Sequence, residues 1–123
     1  MGFIQSVEAR MKLKFGHLGD QPPLSPQFMM QCNYMNEGCD GGWSIFHGFF
    51  AEKGGLVTEE CAPYSARTKG RSCAQYKNCK PYAKVTKSYY VNGYNFSPTE
   101  MQIRKEMLMH GPVTTEFKCN DDF

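Results

Sequence analysis

Residues 32–64 read CNYMNEGCDGGWSIFHGFFAEKGGLVTEECAPY, and how this stretch folds decides the rest of the chain. Cys32 and Cys39 lead into the pair Gly41-Gly42, an apolar run follows, and Gly54-Gly55 separates that run from Cys61-Ala62-Pro63-Tyr64. Ile45, Phe46, Phe49 and Phe50 recur at the spacing of one apolar helical stripe. A helix is therefore expected from about Gly42 to Lys53, burying those four side chains, with Gly54-Gly55 ending it.

Upstream, Phe3, Ile4, Val7 and Met11 also fall at helical spacing, with Glu8, Arg10 and Lys12 mostly on the opposite side. The helix they predict runs to about Phe15 and stops before Gly16 and Gly19. It has no capping residue ahead of its stripe, so its natural start is expected further upstream. Gly2 lies in a myristoylation-like string, Met1 to Ser6, and is read simply as a helix residue, because lipidation belongs to the cytosol and the cysteines argue against that setting. Ser25-Pro26 is a cap followed by proline at the first helical position, opening a short helix through Phe28, Met29 and Met30.

Downstream, residues 58–81 are rich in Pro, Gly, Ser and Lys and read as a loop. A loop of that length needs a staple, and Cys61, Cys73 and Cys79 are available. Residues 85–91 alternate and are rich in Val, Thr and Tyr, which predicts a strand. Ser97-Pro98-Thr99-Glu100 reads as a capping box opening a helix through Met109. Gly111-Pro112 stops it, and residues 113–118 read as a second strand. Helices thus dominate early and a sheet begins late, with a boundary near Tyr90.

The chain has 123 residues, 41% of them hydrophobic and 21% charged, enough for one small core. Mean hydropathy is −0.54 and no long apolar run exists, so no membrane partner is expected. The net charge of +2 is small and its cations are scattered, which gives no reason to expect a nucleic-acid partner. Six cysteines are many for a reducing compartment, and none forms a CxxC pair or zinc-like spacing with His. Disulfides in an oxidising lumen or a secreted protein are the expectation, and no metal site is.

Seven pieces, in order, resemble the papain-like cysteine peptidases. They are Val7-Glu8-Ala9-Arg10, Leu24-Ser25-Pro26-Gln27, Cys32, Cys39-Asp40-Gly41-Gly42-Trp43, Gly55-Leu56-Val57, Pro63-Tyr64 and His110-Gly111-Pro112-Val113. Within the family, Cys61-Ala62-Pro63-Tyr64, the intervals to Cys73 and Cys79, Tyr89-Tyr90-Val91 and Asp121-Asp122-Phe123 resemble the cathepsin C branch. The paired histidines of the cathepsin B occluding loop have no counterpart among His17, His47 and His110.

The resemblance implies an α+β, papain-like fold, present in part. Residues 1–90 would form the helical left subdomain, and residues 91–123 the first elements of the right, sheet-based subdomain. It also implies peptide-bond hydrolysis by a thiolate beside a histidine, with an asparagine orienting the ring and a glutamine helping to bind the oxyanion. In this family His and Asn follow the cysteine by roughly 130–150 residues. Residues 1–15 look like the central helix entered just after the nucleophile, so no catalytic residue is expected within this chain. His110 reads as a helix-end residue beside the C-terminal dipole, and His47 as a packing or surface residue. The partners implied are a peptide or protein substrate and the remaining parts of the peptidase chain. The place implied is lysosomal or secreted.

Gly41 and Gly42 then become candidates for the substrate-binding edge, since an extended peptide must approach that backbone closely and a Cβ would block it. Trp43 and Ser44 fall where the family lines the pocket for the residue two before the cut. Glu116, four residues beyond Pro112, occupies another position of that pocket, where a carboxylate favours a basic residue or a free amine. The resemblance further implies Cys32–Cys73 and Cys61–Cys79 disulfides, and a Cys39 partner upstream of the nucleophile. Cys119 has no family counterpart. No cofactor is expected. Chloride is the one ion the branch raises, through Tyr90, but Ile45 stands where the second tyrosine would be. Asn95-Phe96-Ser97 is formally a glycosylation acceptor. The alternative to a peptidase segment is a truncated, non-catalytic protein that binds peptides or a protease partner through the Gly41-Gly42 edge.

Overall fold

Among the described residues four helices carry the fold: α1 (Gly2–Phe15), α2 (Pro26–Cys32), α3 (Ser44–Gly54) and α4 (Glu100–His110). Short 3-10 turns lie at Gly16–Leu18, Gly38–Asp40 and Ala74–Tyr76. The computed structural model describes residues 1–67, 72–93 and 97–120. Asn95 of the glycosylation acceptor and the string Asp121-Asp122-Phe123 lie outside them.

The core forms where the helices meet. Ile4 of α1, Met29 of α2 and Ala51 of α3 are buried together with Leu24 and Leu56, and Phe3, Val7, Phe28 and Phe50 pack around them. Each fully buried Leu, Ile or Met contributes about 1.5–3 kcal/mol relative to exposure. The apolar stripe of α1 is thus the face that enters the core, as its spacing predicts. α3 departs from expectation twice. It starts at Ser44 rather than Gly42, because Gly41 and Gly42 have φ of 118° and 145°, outside the helical region. Its buried residues are Gly48 and Ala51, while Ile45, Phe46, Phe49 and Phe50 are only half-buried. Gly48 sits against Ser88 and the Phe3 ring, so the small residues set the close approach and the aromatic rings flank it.

α2 anchors the long loop that follows α3. Ser25 Oγ accepts from Phe28 N at 2.9 Å, the expected cap, and also donates to Ala62 O at 2.5 Å. Gln27 is fully buried; its Nε2 donates to Arg67 O at 2.6 Å and its Oε1 accepts from Ser65 N at 2.9 Å. Gln31 donates to Ser72 O at 2.8 Å and accepts from Tyr76 Oη at 3.2 Å. Both glutamines are thereby satisfied, as burial requires. Disulfides Cys32–Cys73 and Cys61–Cys79, with Cα–Cα separations of 4.9 and 5.8 Å, staple the same loop. Cys39 and Cys119 are exposed free thiols.

The sheet is the main correction. Among the described residues β pairing is limited to two isolated antiparallel bridges, Leu24 with Thr58 and Leu56 with Ala83. Neither 85–91 nor 113–118 forms a strand. Their alternation suits a pleated surface, but a strand exists only where a neighbour accepts its backbone bonds, and no described segment forms a β ladder with them. The structure is therefore mostly helical, and the sheet half of the α+β expectation is not present in it. The cap of α4 also moves. Thr99, not Ser97, accepts from Gln102 N at 3.3 Å, and Gln102 Oε1 takes Thr99 N at 2.8 Å. Two overlapping box patterns were available in the sequence, and the later one forms.

α4 is lashed to α1 by Arg10. Its Nε donates to Pro112 O at 2.8 Å and its Nη2 reaches Glu106 at 3.4 Å. Tyr89 Oη donates to the same Glu106 oxygen at 2.6 Å, and that bond is the chief reason its hydroxyl titrates above the ordinary tyrosine range.

Candidate functional site

The segment from Asn33 to Ser44 is held by asparagine side chains rather than by a ladder. Asn33 donates to Phe46 O at 3.2 Å and accepts from Met35 N at 3.0 Å. Asn36, 8% exposed, grips Trp43 at both backbone groups: Oδ1 accepts Trp43 N at 2.8 Å, and Nδ2 donates to Trp43 O at 3.2 Å. Trp43 is the N-cap of α3, and its carbonyl also takes Phe46 N at 3.0 Å. One buried amide thus fixes where α3 begins. A Cβ on Gly42 would overlap Asn36, meeting its Cγ at 2.5 Å and its Cβ at 2.7 Å. Glycine at 42 is required by that internal contact as well as by its φ.

Gly41 is different. Its φ of 118° also favours glycine, but nothing lies within 4 Å of where a Cβ would sit. Its carbonyl accepts Glu37 N at 3.0 Å. Both Gly41 and Gly42 are exposed, so together they present bare backbone to solvent. Trp43 follows with 61% of its surface exposed, so it is not a core aromatic.

Glu116 comes to the same place from 72 residues away. Its Oε1 accepts from Ser44 Oγ at 3.1 Å and from Ser44 N at 3.3 Å. A carboxylate at the first turn of α3 is favoured by the free N–H groups and positive dipole there. The structure therefore brings Gly41, Gly42, Trp43, Ser44 and Glu116 into one contiguous surface. Tyr90 is exposed, and its carbonyl accepts Gly93 N. Asn36 and Asn33 are the residues that sequence reasoning missed. The only available signal was two asparagines three apart between Cys32 and Cys39.

The histidines lie elsewhere. His110 is the last residue of α4, next to Gly111. His47 stacks on Phe3 with ring centroids 5.8 Å apart, and its buried Nδ1 has no hydrogen-bond partner among the described residues. Burial, helped by the Met1 ammonium, lowers its pKa below the ordinary 6.5. A neutral ring stacked in a core contact is a packing residue. Among the described residues no three His, Cys, Asp or Glu side chains are grouped closely enough to hold a metal ion, and no helix is long and apolar enough to cross a membrane.

The family described as papain family cysteine protease matches residues 1–123. Cathepsin C of Schistosoma mansoni is 33% identical over 119 residues, which are 96% of this chain and 26% of that protein. Cathepsin B-like CP3 of Giardia intestinalis is 30% identical, covering 80% of this chain and 33% of its own. The tubulointerstitial nephritis antigen-like protein of Mus musculus is 28% identical, covering 98% and 30%. The chain spans about a quarter to a third of the length of these relatives.

Proposed function

The chain belongs to the papain family of cysteine proteases, and from that premise we propose that it forms the peptide-binding part of a cathepsin C-like peptidase. The complete enzyme removes dipeptides from free N-termini, in a lysosomal or secreted setting that the two disulfides suit. The bare Gly41-Gly42 backbone, braced by Asn36, carries this reading. An extended substrate adds to it as a strand would, with backbone hydrogen bonds supplying affinity and neighbouring side chains supplying specificity.

Beside that edge, Trp43 offers an aromatic face and Glu116 a carboxylate whose second oxygen has no hydrogen bond among the described residues. A cationic side chain, or the free amine of a substrate, is the group that both would attract. In this reading neither His47, a packing residue stacked on Phe3, nor His110, at the end of α4, serves as the catalytic base. Residues 1–90 and 91–123 correspond to the two subdomains of the family fold.

Titration of the chain with an extended peptide bearing lysine, leucine or glutamate at one position tests the reading by backbone amide shifts. Shifts at residues 41–44, strongest for lysine and lost for that peptide in Glu116→Gln, are expected. Equal response to lysine and glutamate would refute the Glu116 role, and no response at 41–44 would refute the edge. Turnover of a fluorogenic dipeptide substrate by the chain alone, with labelling by an active-site thiol probe, would refute its inactivity.

A further inference from the structure

A cleft of about 280 Å³ opens between the second half of α1 and the segment 19–23, and it shares no residue with the Gly41–Ser44 surface. Three charged side chains line it: Glu8 and Lys12, one turn apart on α1, and Asp20 opposite. Met11, Pro22 and Pro23 give it an apolar wall.

The walls are held before any ligand arrives. Glu8 Oε1 accepts Leu24 N at 2.8 Å, which fixes that carboxylate, and its other oxygen has no hydrogen bond among the described residues. Gln21 is pinned by Tyr82 Oη at 2.6 Å and donates to Gly19 O at 3.2 Å. The two prolines have φ set by their rings. Little ordering cost therefore falls on binding. The charges, in contrast, are unspent: among the described residues neither Lys12 nor Asp20 has a side-chain hydrogen bond or ion pair.

We infer that this cleft binds a short peptide with both termini free, of dipeptide size. A simple anion would meet Lys12 but face two carboxylates, and a simple cation would meet the carboxylates but face Lys12. A ligand carrying both charges on an apolar body pairs with all three groups and covers Met11 and the prolines. The volume sits just under the usual range for small-molecule sites, about 300–1,000 Å³, which suits a dipeptide. The inference does not rest on the peptidase reading, because it uses none of the residues of that site.

The test is amide-shift titration of the whole chain with Gly-Phe, and with the same dipeptide acetylated and amidated, at low ionic strength where exposed charges are least screened. Shifts clustered over residues 8–23 are expected, with the blocked dipeptide about tenfold weaker. Lys12→Gln and Asp20→Asn should each weaken binding about three- to fivefold, the scale of an exposed ion pair, while leaving the urea unfolding curve in place. Equal affinity for the blocked form, shifts confined to residues 41–44, or no shift at 10-millimolar ligand (about 3 kcal/mol of binding free energy) would each overturn it.

Discussion

Replacing Gly42 by alanine tests whether Asn36 and the glycine pair act as one device. The new Cβ would carry two costs. Holding a non-glycine residue at φ of 145° costs about 1–2 kcal/mol. The methyl would also displace the Asn36 amide, which it meets at 2.5–2.7 Å, and so release both bonds to Trp43. At about 1 kcal/mol each, those bonds contribute about 2 kcal/mol. Gly42→Ala should therefore destabilise by about 3–4 kcal/mol, and Asn36→Ala alone by about 2 kcal/mol. In the double variant the clamp is already gone, so only the φ strain is added and the total stays near 3–4 kcal/mol. The sum of the single effects exceeds the double by about 2 kcal/mol, well outside the scatter of independent sites. Urea unfolding followed by circular dichroism on all four proteins reads this directly. Additivity within about 0.5 kcal/mol would refute the claim that the two residues are mechanically coupled.

Two further outcomes follow from the staples and the buried imidazole. Removing Cys32–Cys73, which spans 41 residues, should cost about 4 kcal/mol, and removing Cys61–Cys79, which spans 18, about 3 kcal/mol; paired serine variants compared by urea midpoint check this, and a loss under 1 kcal/mol for the longer loop would contradict it. The lowered pKa of His47 means that the unfolded chain binds its proton first as pH falls, so stability is lost from about pH 6.5 down to the depressed native value and then levels. Urea midpoints between pH 7.5 and 5 should therefore fall less steeply for His47→Gln than for the unsubstituted chain, and equal slopes would discard the buried neutral ring.

Helices were legible because their signals are local. The stripe Phe3, Ile4, Val7, Met11 and the Ser25-Pro26 cap each lie within two turns, and both features form. The strands at 85–91 and 113–118 were not legible in the same way. Alternation says that a segment can lie on a sheet, whereas pairing depends on a partner that the segment does not encode. The aromatic run of α3 misled for a related reason: helical spacing gives a face, but Gly48 and Ala51 decide how near that face comes to its neighbours. Asn36 escaped because an asparagine between cysteines reads as a turn residue. Its grip on Trp43 is visible only once the chain has doubled back.

The placement of Glu116 shows how much of the site is long-range. Glu116 lies in the segment 113–118 that reads as a strand, and in a strand a slip of one residue would turn it to the other face. No strand forms there, yet the carboxylate still reaches Ser44. Nor does the register of a ladder position it. Upstream, Arg10 holds Pro112 O and, with Tyr89, holds Glu106, so α4 and the turn after it are fixed to α1 before residue 116 is reached. Four residues of extended chain then span at most about 13–14 Å, and the free N–H groups of α3 supply the attraction at the far end. Arg10 therefore acts on the site through the backbone it anchors, without touching any of its residues. The same logic explains why the Gly41-Gly42 edge survives without a sheet. Side chains brought in from seven residues away (Asn36, on Trp43) and 72 residues away (Glu116, on Ser44) satisfy the backbone just after the glycines that a ladder would otherwise satisfy. Gly41 O is taken up inside the segment by Glu37 N, and the exposed backbone of Gly42 is what remains for an added strand.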